Sequence, residues 1–218
     1  HQQRRPPQHD PQPDGNADFW FSGLLYGIEG GFGLGQFAVA VGGGGTVWTA
    51  GSAGLALRDA TGSWRPMNHE AGLENFDLVI DVAVDSRGQV WAAPQSGGAL
   101  RYEPGRDRWT LYDDAIDGIV TAIVADGGGS VWFGRQFAND GGATLIQRDP
   151  VGRWHQVSLR AFTGGDLDAP VRGLAMAPDG TVVQTTFDDA LLLFGPSGKG
   201  LWMPQDRLPP LSSDAQPM

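Results

Sequence analysis

The chain contains no cysteine, and its 15 basic residues include a single lysine, Lys199. The absence of cysteine excludes disulfides, thiolate metal sites and thiol nucleophiles. No apolar run approaches the roughly 20 residues that a membrane-spanning helix needs, since the longest, at residues 37–41, has the length of a strand. The net charge of −10 repels phosphate backbones and therefore argues against nucleic-acid binding.

Glycine and tryptophan, in contrast, are abundant, with 34 and 8 copies among 218 residues. Hydrophobic residues make up 40% of the chain and charged residues 18%, which is the composition of a folded domain. Many glycines without a fixed period indicate tight turns between short strands. The sequence therefore favours a β-rich fold with large aromatic anchors.

Four segments of the chain repeat one pattern, in which a short apolar run and a glycine-containing turn lead to a valine and an anchor residue. The anchors are Trp48, Trp91, Trp132 and Val183, which lie 43, 41 and 51 residues apart. A repeat of about 45 residues is typical of propellers and solenoids. A second tryptophan follows each anchor, at Trp64, Trp109, Trp154 and Trp202.

Each repeat divides into four apolar runs separated by clusters of Gly, Asp, Pro and Ser. In the second repeat the runs are residues 80–84, 89–93, 99–102 and 109–112. Four strands per unit without helical periodicity predict the blade of a propeller. The predicted fold class is an all-β propeller of four-stranded antiparallel blades, at residues 37–67, 80–112, 121–157 and 172–203.

The second repeat resembles the two-component regulator propeller repeat. The matching residues are Gly72-Leu73 and residues 82–85, 88–91, 98–102 and 109–112. The resemblance implies a propeller of the kind that forms the extracytoplasmic sensor part of membrane histidine kinases. Similar propellers occur in secreted binding proteins and in a streptogramin-type lyase. This chain departs from the pattern at Gly42 and Ala177, which replace a turn aspartate, and at Val183.

The ends of the chain differ from the repeats. Residues 1–18 predict an extended linker, residues 19–36 resemble the middle strands of a partial blade, and residues 205–218 form a Pro-rich tail. Three arrangements follow: a four-bladed ring with an extra strand pair, an irregular five-bladed ring, or an open arc completed by another chain. The third alternative arises because an exposed blade edge favours pairing with a partner.

A ligand or partner is expected at the face where two kinds of loop meet in a propeller. These are the loops between blades, at residues 67–78, 113–120 and 160–171, and the hairpins joining second to third strands. Both kinds are rich in acidic and aromatic residues. The predicted binding residues are His69, Glu70, Phe76, Asp77, Asp113, Asp114, Asp117, Arg135, Phe137, Asn139, Asp140, Asp166, Asp168, Phe187, Asp188 and Asp189.

Such an acidic rim would attract a basic protein surface, a cationic ligand or a hard cation such as Ca²⁺, although solvated loops have the same composition. No cofactor and no catalytic residue is predicted. His69 beside Glu70 is the one arrangement in the sequence that resembles an acid–base site. The predicted function is a non-catalytic binding or scaffolding propeller of the cell envelope, sensor-like and extracytoplasmic. The alternatives are a lyase or hydrolase acting at the propeller mouth and a carbohydrate-binding module.

The repeated tryptophans are predicted to pack between blades rather than to bind sugars. Asp85, Asp126 and Asp179 are predicted to stabilise hairpins, because aspartate side chains accept hydrogen bonds from nearby backbone amides in turns.

Overall fold

A computed structural model describes residues 38–68, 70–73, 78–136, 145–157, 171–186, 191–195, 200–203 and 207. The chain divides into two compact units, residues 1–35 and 36–218, and every described residue belongs to the second. The described residues are almost entirely strands and turns.

The strands form four antiparallel sheets of four strands each, and within each sheet the strands neighbour one another in chain order. Sheet 1 contains β1 (Ala38–Val41), β2 (Val47–Gly51), β3 (Gly54–Arg58) and β4 (Trp64–Pro66). Sheet 2 contains β5 (Val79–Val84), β6 (Val90–Pro94), β7 (Ala99–Glu103) and β8 (Arg108–Tyr112). Sheet 3 contains β9 (Ile119–Ala125), β10 (Val131–Gln136), β11 (Leu145–Arg148) and β12 (Trp154–Val157). Sheet 4 contains β13 (Val171–Met176), β14 (Val182–Thr186), β15 (Leu191–Phe194) and β16 (Gly200–Met203).

The hairpin between the first two strands of each sheet closes in the same way. In sheet 2, the Asp85 amide donates to the Gln89 carbonyl (2.9 Å), and Gly88 follows the turn with a φ of 74°. That left-handed conformation favours glycine because it has no Cβ. Gly42 and Ala177 form the same backbone bond without an aspartate, to Thr46 and Thr181.

The predicted role of the turn aspartates is confirmed. Asp85 Oδ1 accepts hydrogen bonds from the amides of Arg87 and Gln89, both at 2.9 Å. Asp126 accepts one from Ser130 at 2.7 Å, and Asp179 accepts one from Thr181 at 2.9 Å.

The anchor tryptophans pack across the seams between consecutive sheets, as predicted. Trp48 of sheet 1 lies 5.5 Å from the ring of Tyr102 in sheet 2. Trp132 of sheet 3 lies 5.5 Å from the ring of Phe194 in sheet 4. Trp91 of sheet 2 is fully buried, with Phe133 of sheet 3 at 5.3 Å. Each anchor therefore extends forward, onto the sheet that follows its own.

The second tryptophans belong to the fourth strands. Trp64 and Trp154 are the first residues of β4 and β12, and Trp109 is the second residue of β8. Trp109 lies 6.1 Å from Trp48, and Trp154 lies 6.3 Å from Trp91, both edge to face. Aromatic pairs in this geometry add roughly 0.5–1.5 kcal/mol beyond the area that they bury. The same two aromatic positions thus build both of these seams.

The first strands of consecutive sheets are neighbours: β1 packs on β5, β5 on β9, and β9 on β13. Two side-chain bonds join them. The half-buried Asp81 carboxylate accepts the Ile123 amide at 2.6 Å, and the Thr121 hydroxyl donates to the Val171 carbonyl at 2.6 Å. Burial raises the pKa of Asp81, although its hydrogen bonds from Ile123 and Val82 act in the opposite direction.

Candidate functional site

In sheets 1 and 2, the described parts of the inter-sheet loops and the hairpins joining second to third strands meet on one face, here named the loop face. The Gln95 amide of the β6–β7 hairpin donates to the Leu78 carbonyl at 2.8 Å. In the same hairpin, the Gly98 amide donates to the Gly118 carbonyl at 3.1 Å. In sheet 1, Asn68 of the inter-sheet loop accepts the Leu55 amide at 2.6 Å. Both kinds of loop are therefore held together, by backbone hydrogen bonds in sheet 2 and by the Asn68 side chain in sheet 1.

Apolar side chains anchor the inter-sheet loops in the core. Met67, Ala71 and Leu73, in the loop after sheet 1, are buried in one cluster with Trp48. Ile116, in the loop after sheet 2, is fully buried in the cluster around Trp91. Buried anchors hold a loop in one place, so the polar side chains beside them are presented from a fixed backbone.

Four of the predicted binding residues lie exposed on this face: Glu70, Asp113, Asp114 and Asp117. Asp113 and Asp114 are sequence neighbours, and the Asp114 amide donates to Asp113 Oδ1 at 3.0 Å. The described part of the loop face is therefore acidic. The remaining predicted residues other than Arg135 lie outside the described residues: His69, Phe76, Asp77, Phe137, Asn139, Asp140, Asp166, Asp168, Phe187, Asp188 and Asp189.

Arg135 differs from its predicted place in a loop. It belongs to strand β10 and is 1% exposed, and its Nη1 donates to the Asp117 carbonyl at 2.5 Å. It makes further interactions of its own. A buried guanidinium must have its donors satisfied, so Arg135 holds the inter-sheet loop in position. Sequence reasoning placed it in the loop because the apolar run ends just before it.

Sequence reasoning also missed the Asp81 and Thr121 links between sheets. Asp81 lies in the predicted strand 80–84, and Thr121 is the first residue of the predicted blade 121–157, yet neither belongs to a repeated motif. Both lie where the register of the first strand shifts, between Val79 and Asp81 and beside Gly134. A bulge redirects side chains, which explains why an alternation pattern does not reveal these contacts.

Within the described residues, no group of three or more His, Asp and Glu side chains is arranged to hold a metal ion. The described histidine, His155, lies in strand β12, with its Nε2 at 3.0 Å from Asp149. The hydrogen bonds from His155 and Arg153 hold the pKa of Asp149 well below its usual range. This exposed pair is at the hairpin joining third to fourth strands, the opposite end of the sheet from the loop face.

In the part of the chain that the structure describes, no helix has the length and apolar character needed to cross a membrane.

Comparisons with known proteins give structural matches only. No protein-family model matches the sequence. No curated protein matches it either. Among solved structures, the chain is similar to the extracellular domain of a protein of B. thetaiotaomicron described as a one-component system. The two are 19% identical with a TM-score of 0.55, over 79% of this chain and 22% of the other.

Two further structures are similar. One is the extracellular domain of a B. thetaiotaomicron protein described as a hybrid two-component system. It is 14% identical with a TM-score of 0.55, over 73% of this chain and 21% of the other. A streptogramin B lyase is 15% identical, with a TM-score of 0.51, over 77% of this chain and 54% of the lyase. The chain thus spans about a fifth of the extracellular domains and about half of the lyase. At these identities the likeness shows the fold alone: the described part of the chain is all-β, with four antiparallel four-stranded sheets and propeller-like neighbours.

Proposed function

We propose that the chain is a non-catalytic, extracytoplasmic binding domain of a sensor-like protein, with its recognition surface on the loop face. The observation that carries the proposal is the fixed loop face. Its inter-sheet loops are held by buried anchors and backbone bonds, while Glu70, Asp113, Asp114 and Asp117 face solvent. An acidic surface on a rigid scaffold attracts a basic protein surface or a cationic ligand.

The structural neighbours support this proposal. Two of them are extracellular domains of proteins described as one-component or hybrid two-component systems. The predicted likeness to a propeller repeat of such systems points the same way. The repeated seams further support the proposal that the four sheets are blades of a propeller, closed by one of the three predicted arrangements.

The enzyme and carbohydrate alternatives have less support. The described histidine–carboxylate pair, His155 and Asp149, lies away from the loop face. Trp48, Trp91 and Trp132 are buried in seams as predicted. A carbohydrate site on the loop phenylalanines Phe76, Phe137 and Phe187 stays a prediction that concerns residues outside the described part. A lyase or hydrolase using His69, and Ca²⁺ binding at the rim, stay predictions that concern residues outside the described part.

The proposal is tested by titrating the ¹⁵N-labelled protein with an octalysine peptide at low salt and following backbone amide shifts. We expect shifts at residues 70–73 and 113–118. The variant D113N/D114N removes two exposed charges from the loop face. It should bind about threefold to tenfold more weakly, since each exposed ion pair contributes roughly 0.2–1 kcal/mol.

The matched control is D59N/D179N, which removes two charges at hairpins of the opposite end. Asparagine still accepts hydrogen bonds in such turns, so these hairpins are retained. This control should bind octalysine like the unmodified chain. Equal losses in both double variants, or amide shifts confined to the opposite end, would show that net charge rather than the loop face is responsible.

A further inference from the structure

The seam between sheets 2 and 3 places two guanidinium groups against one aromatic cluster. The guanidinium carbon of Arg101 lies 5.6 Å from the centroid of Trp91 and 5.3 Å from that of Tyr112. Arg148, from the next sheet, lies 5.3 Å from Trp91, 6.0 Å from Tyr112 and 5.8 Å from Trp154. Both cations thus stack within the range of a cation–π interaction.

Arg148 occupies a repeat position at which two other sheets carry an aromatic ring. It pairs with Val131, next to the anchor Trp132, and Tyr102 and Phe194 hold the same place in sheets 2 and 4. Those two rings cover the anchor tryptophan of the preceding sheet. An aromatic ring would therefore be sufficient for packing, whereas a guanidinium adds five hydrogen-bond donors.

Among the described residues, the donors of Arg148 have no hydrogen-bond acceptor. Arg101 forms an ion pair with Glu103 at 2.6 Å, but Arg148 has no acceptor and no ion pair among the described residues. The Nε atoms of both arginines are buried without a hydrogen-bond partner in this part of the chain, so the terminal Nη atoms of Arg148 are the donors that a ligand can reach. Buried donors are usually satisfied by protein, water or ligand.

The surroundings of Arg148 are also positively charged. Burial lowers the pKa of Arg148, and the charges of Arg101 and Arg87 lower it further, whereas Tyr112 and Asp85 act in the opposite direction. Arg87, from the β5–β6 hairpin, donates to the Pro150 carbonyl of the β11–β12 hairpin. Its charge therefore lies at the same seam.

The neighbouring carboxylates are already engaged. Asp85 accepts two backbone amides and the Trp91 indole N–H, the latter at 3.1 Å. Glu103 pairs with Arg101, Arg106 and Arg108. Residues 85–88, 101–108 and 148–153 together contain six arginines and four carboxylates, in a chain whose net charge is −10. This end of the seam carries the local excess of positive charge.

We propose that Arg148, with Arg87 and Arg101 beside it, forms an oxyanion site at the seam between sheets 2 and 3. The ligand is a carboxylate, sulfate or phosphate group, which the planar guanidinium binds through two parallel hydrogen bonds. The site lies at the opposite end of the sheets from the loop face and does not depend on the proposed function. It has no counterpart in sheets 2 and 4, where Tyr102 donates its one hydroxyl to Asp107 and Phe194 has no donor.

The experiment titrates the whole chain with sodium sulfate, sodium phosphate and sodium acetate, holding the ionic strength constant with sodium chloride. Binding is followed by ¹H–¹⁵N spectra of the arginine Nε–H groups and by the thermal midpoint. We expect saturable shifts of the Arg148 and Arg101 Nε–H signals. Binding of sulfate and phosphate without binding of acetate indicates that the natural ligand carries a compact dianion. Binding of acetate indicates a carboxylate.

Two variants separate a site from a general salt effect, which matters because sulfate stabilises folded proteins by exclusion from their surface. R148Y introduces the residue found at Tyr102, so the seam stays packed while the positive charge and the paired guanidinium donors are lost and a single hydroxyl remains. R58Y makes the same change in sheet 1, where Arg58 lies over Gly62 as Arg148 lies over Gly152. We expect at least about a tenfold loss of affinity in R148Y and none in R58Y.

Three results would overturn the proposal: no saturable shift in the unmodified chain, unchanged binding by R148Y, or an equal loss in R58Y. Circular dichroism of both variants verifies that the sheets are intact.

Discussion

Gln184 is a buried polar side chain whose hydrogen-bonding groups are unsatisfied. It lies in β14, is 1% exposed, and neither its amide nitrogen nor its amide oxygen has a hydrogen-bond partner in the described part of the chain. Its equivalents in sheets 2 and 3 are Ala92 and Phe133, both apolar and fully buried. A buried polar group without a partner destabilises the folded state by about 1–3 kcal/mol.

Replacing Gln184 with leucine should therefore stabilise the protein. The change keeps a similar side-chain volume and removes the unsatisfied amide, so the free energy of unfolding should rise by about 1 kcal/mol. Chemical denaturation with matched slopes measures this difference. The control is Q156L, at an exposed position of β12, which should change stability little. A lower stability for Q184L than for Q156L would mean that the amide is satisfied in solution, for instance by a buried water.

At the scale of residues, sequence reasoning found the side chains that repeat and missed those that do not. Trp48, Trp91 and Trp132 were predicted to pack between blades because they recur at one position. Arg148 was not recognised as part of the same seam, since its repeat position carries an arginine in sheets 1 and 3 but an aromatic ring in sheets 2 and 4. A contact made by one copy of a repeat leaves no periodic signal.

At the scale of elements, the aspartate of the hairpin between first and second strands makes different contacts in different sheets. In sheet 4 the aspartate is displaced to Asp179, which is exposed and accepts the Thr181 amide. In sheet 2, Asp85 is 7% exposed and also accepts the indole N–H of the buried Trp91. The same turn therefore has a core role in one sheet and a surface role in another.

The variant D85A should destabilise the protein by about 1–3 kcal/mol, because the Trp91 indole N–H and two backbone amides lose their acceptor. D179A should have a much smaller effect, since water replaces its exposed bond. Urea denaturation compares the two variants. If both shift the midpoint equally, the turn backbone rather than the indole bond is what aspartate stabilises.

The strand pattern was largely predictable at this scale. The four runs expected in the second repeat correspond to β5–β8 within about one residue at each end. Loop contacts were less accessible to prediction. Ile116 and Met67 anchor loops although neither follows a strand or helix period. Arg135 was expected in a loop because a charged residue ends the apolar run, whereas its charge is satisfied inside the fold.

At the scale of the whole described molecule, the sheets differ in how fully both faces are covered. Sheets 2 and 3 have a neighbouring sheet on each side, and β6 is buried along its entire length. In sheet 1, Val39 and Val41 are 49% and 71% exposed, and in sheet 4 Leu201 is 56% exposed. Local stability within a fold follows such differences in burial.

We therefore expect the backbone amides of β6 and β10 to exchange with solvent more slowly than those of β1 and β16. Hydrogen–deuterium exchange under native conditions measures this gradient. The hydrogen-bonded amides of β3 and β7, which occupy the same place within their sheets, provide an internal comparison between an end sheet and an inner one. Uniform protection across all four sheets would show that the molecule opens as a single unit, with its end faces covered in solution.

The forward orientation of the anchor tryptophans has a consequence for how such a chain can change in length over evolution. Each junction joins two unlike halves, an indole from one unit and a receiving side chain from the next, such as Tyr102 or Phe194. Duplicating a unit in tandem supplies both halves at once. Deleting a unit leaves the indole of the preceding unit packed on the receiving side chain of the following unit. Gain or loss of a unit that carries an anchor tryptophan therefore preserves the internal junctions, without compensating mutations elsewhere.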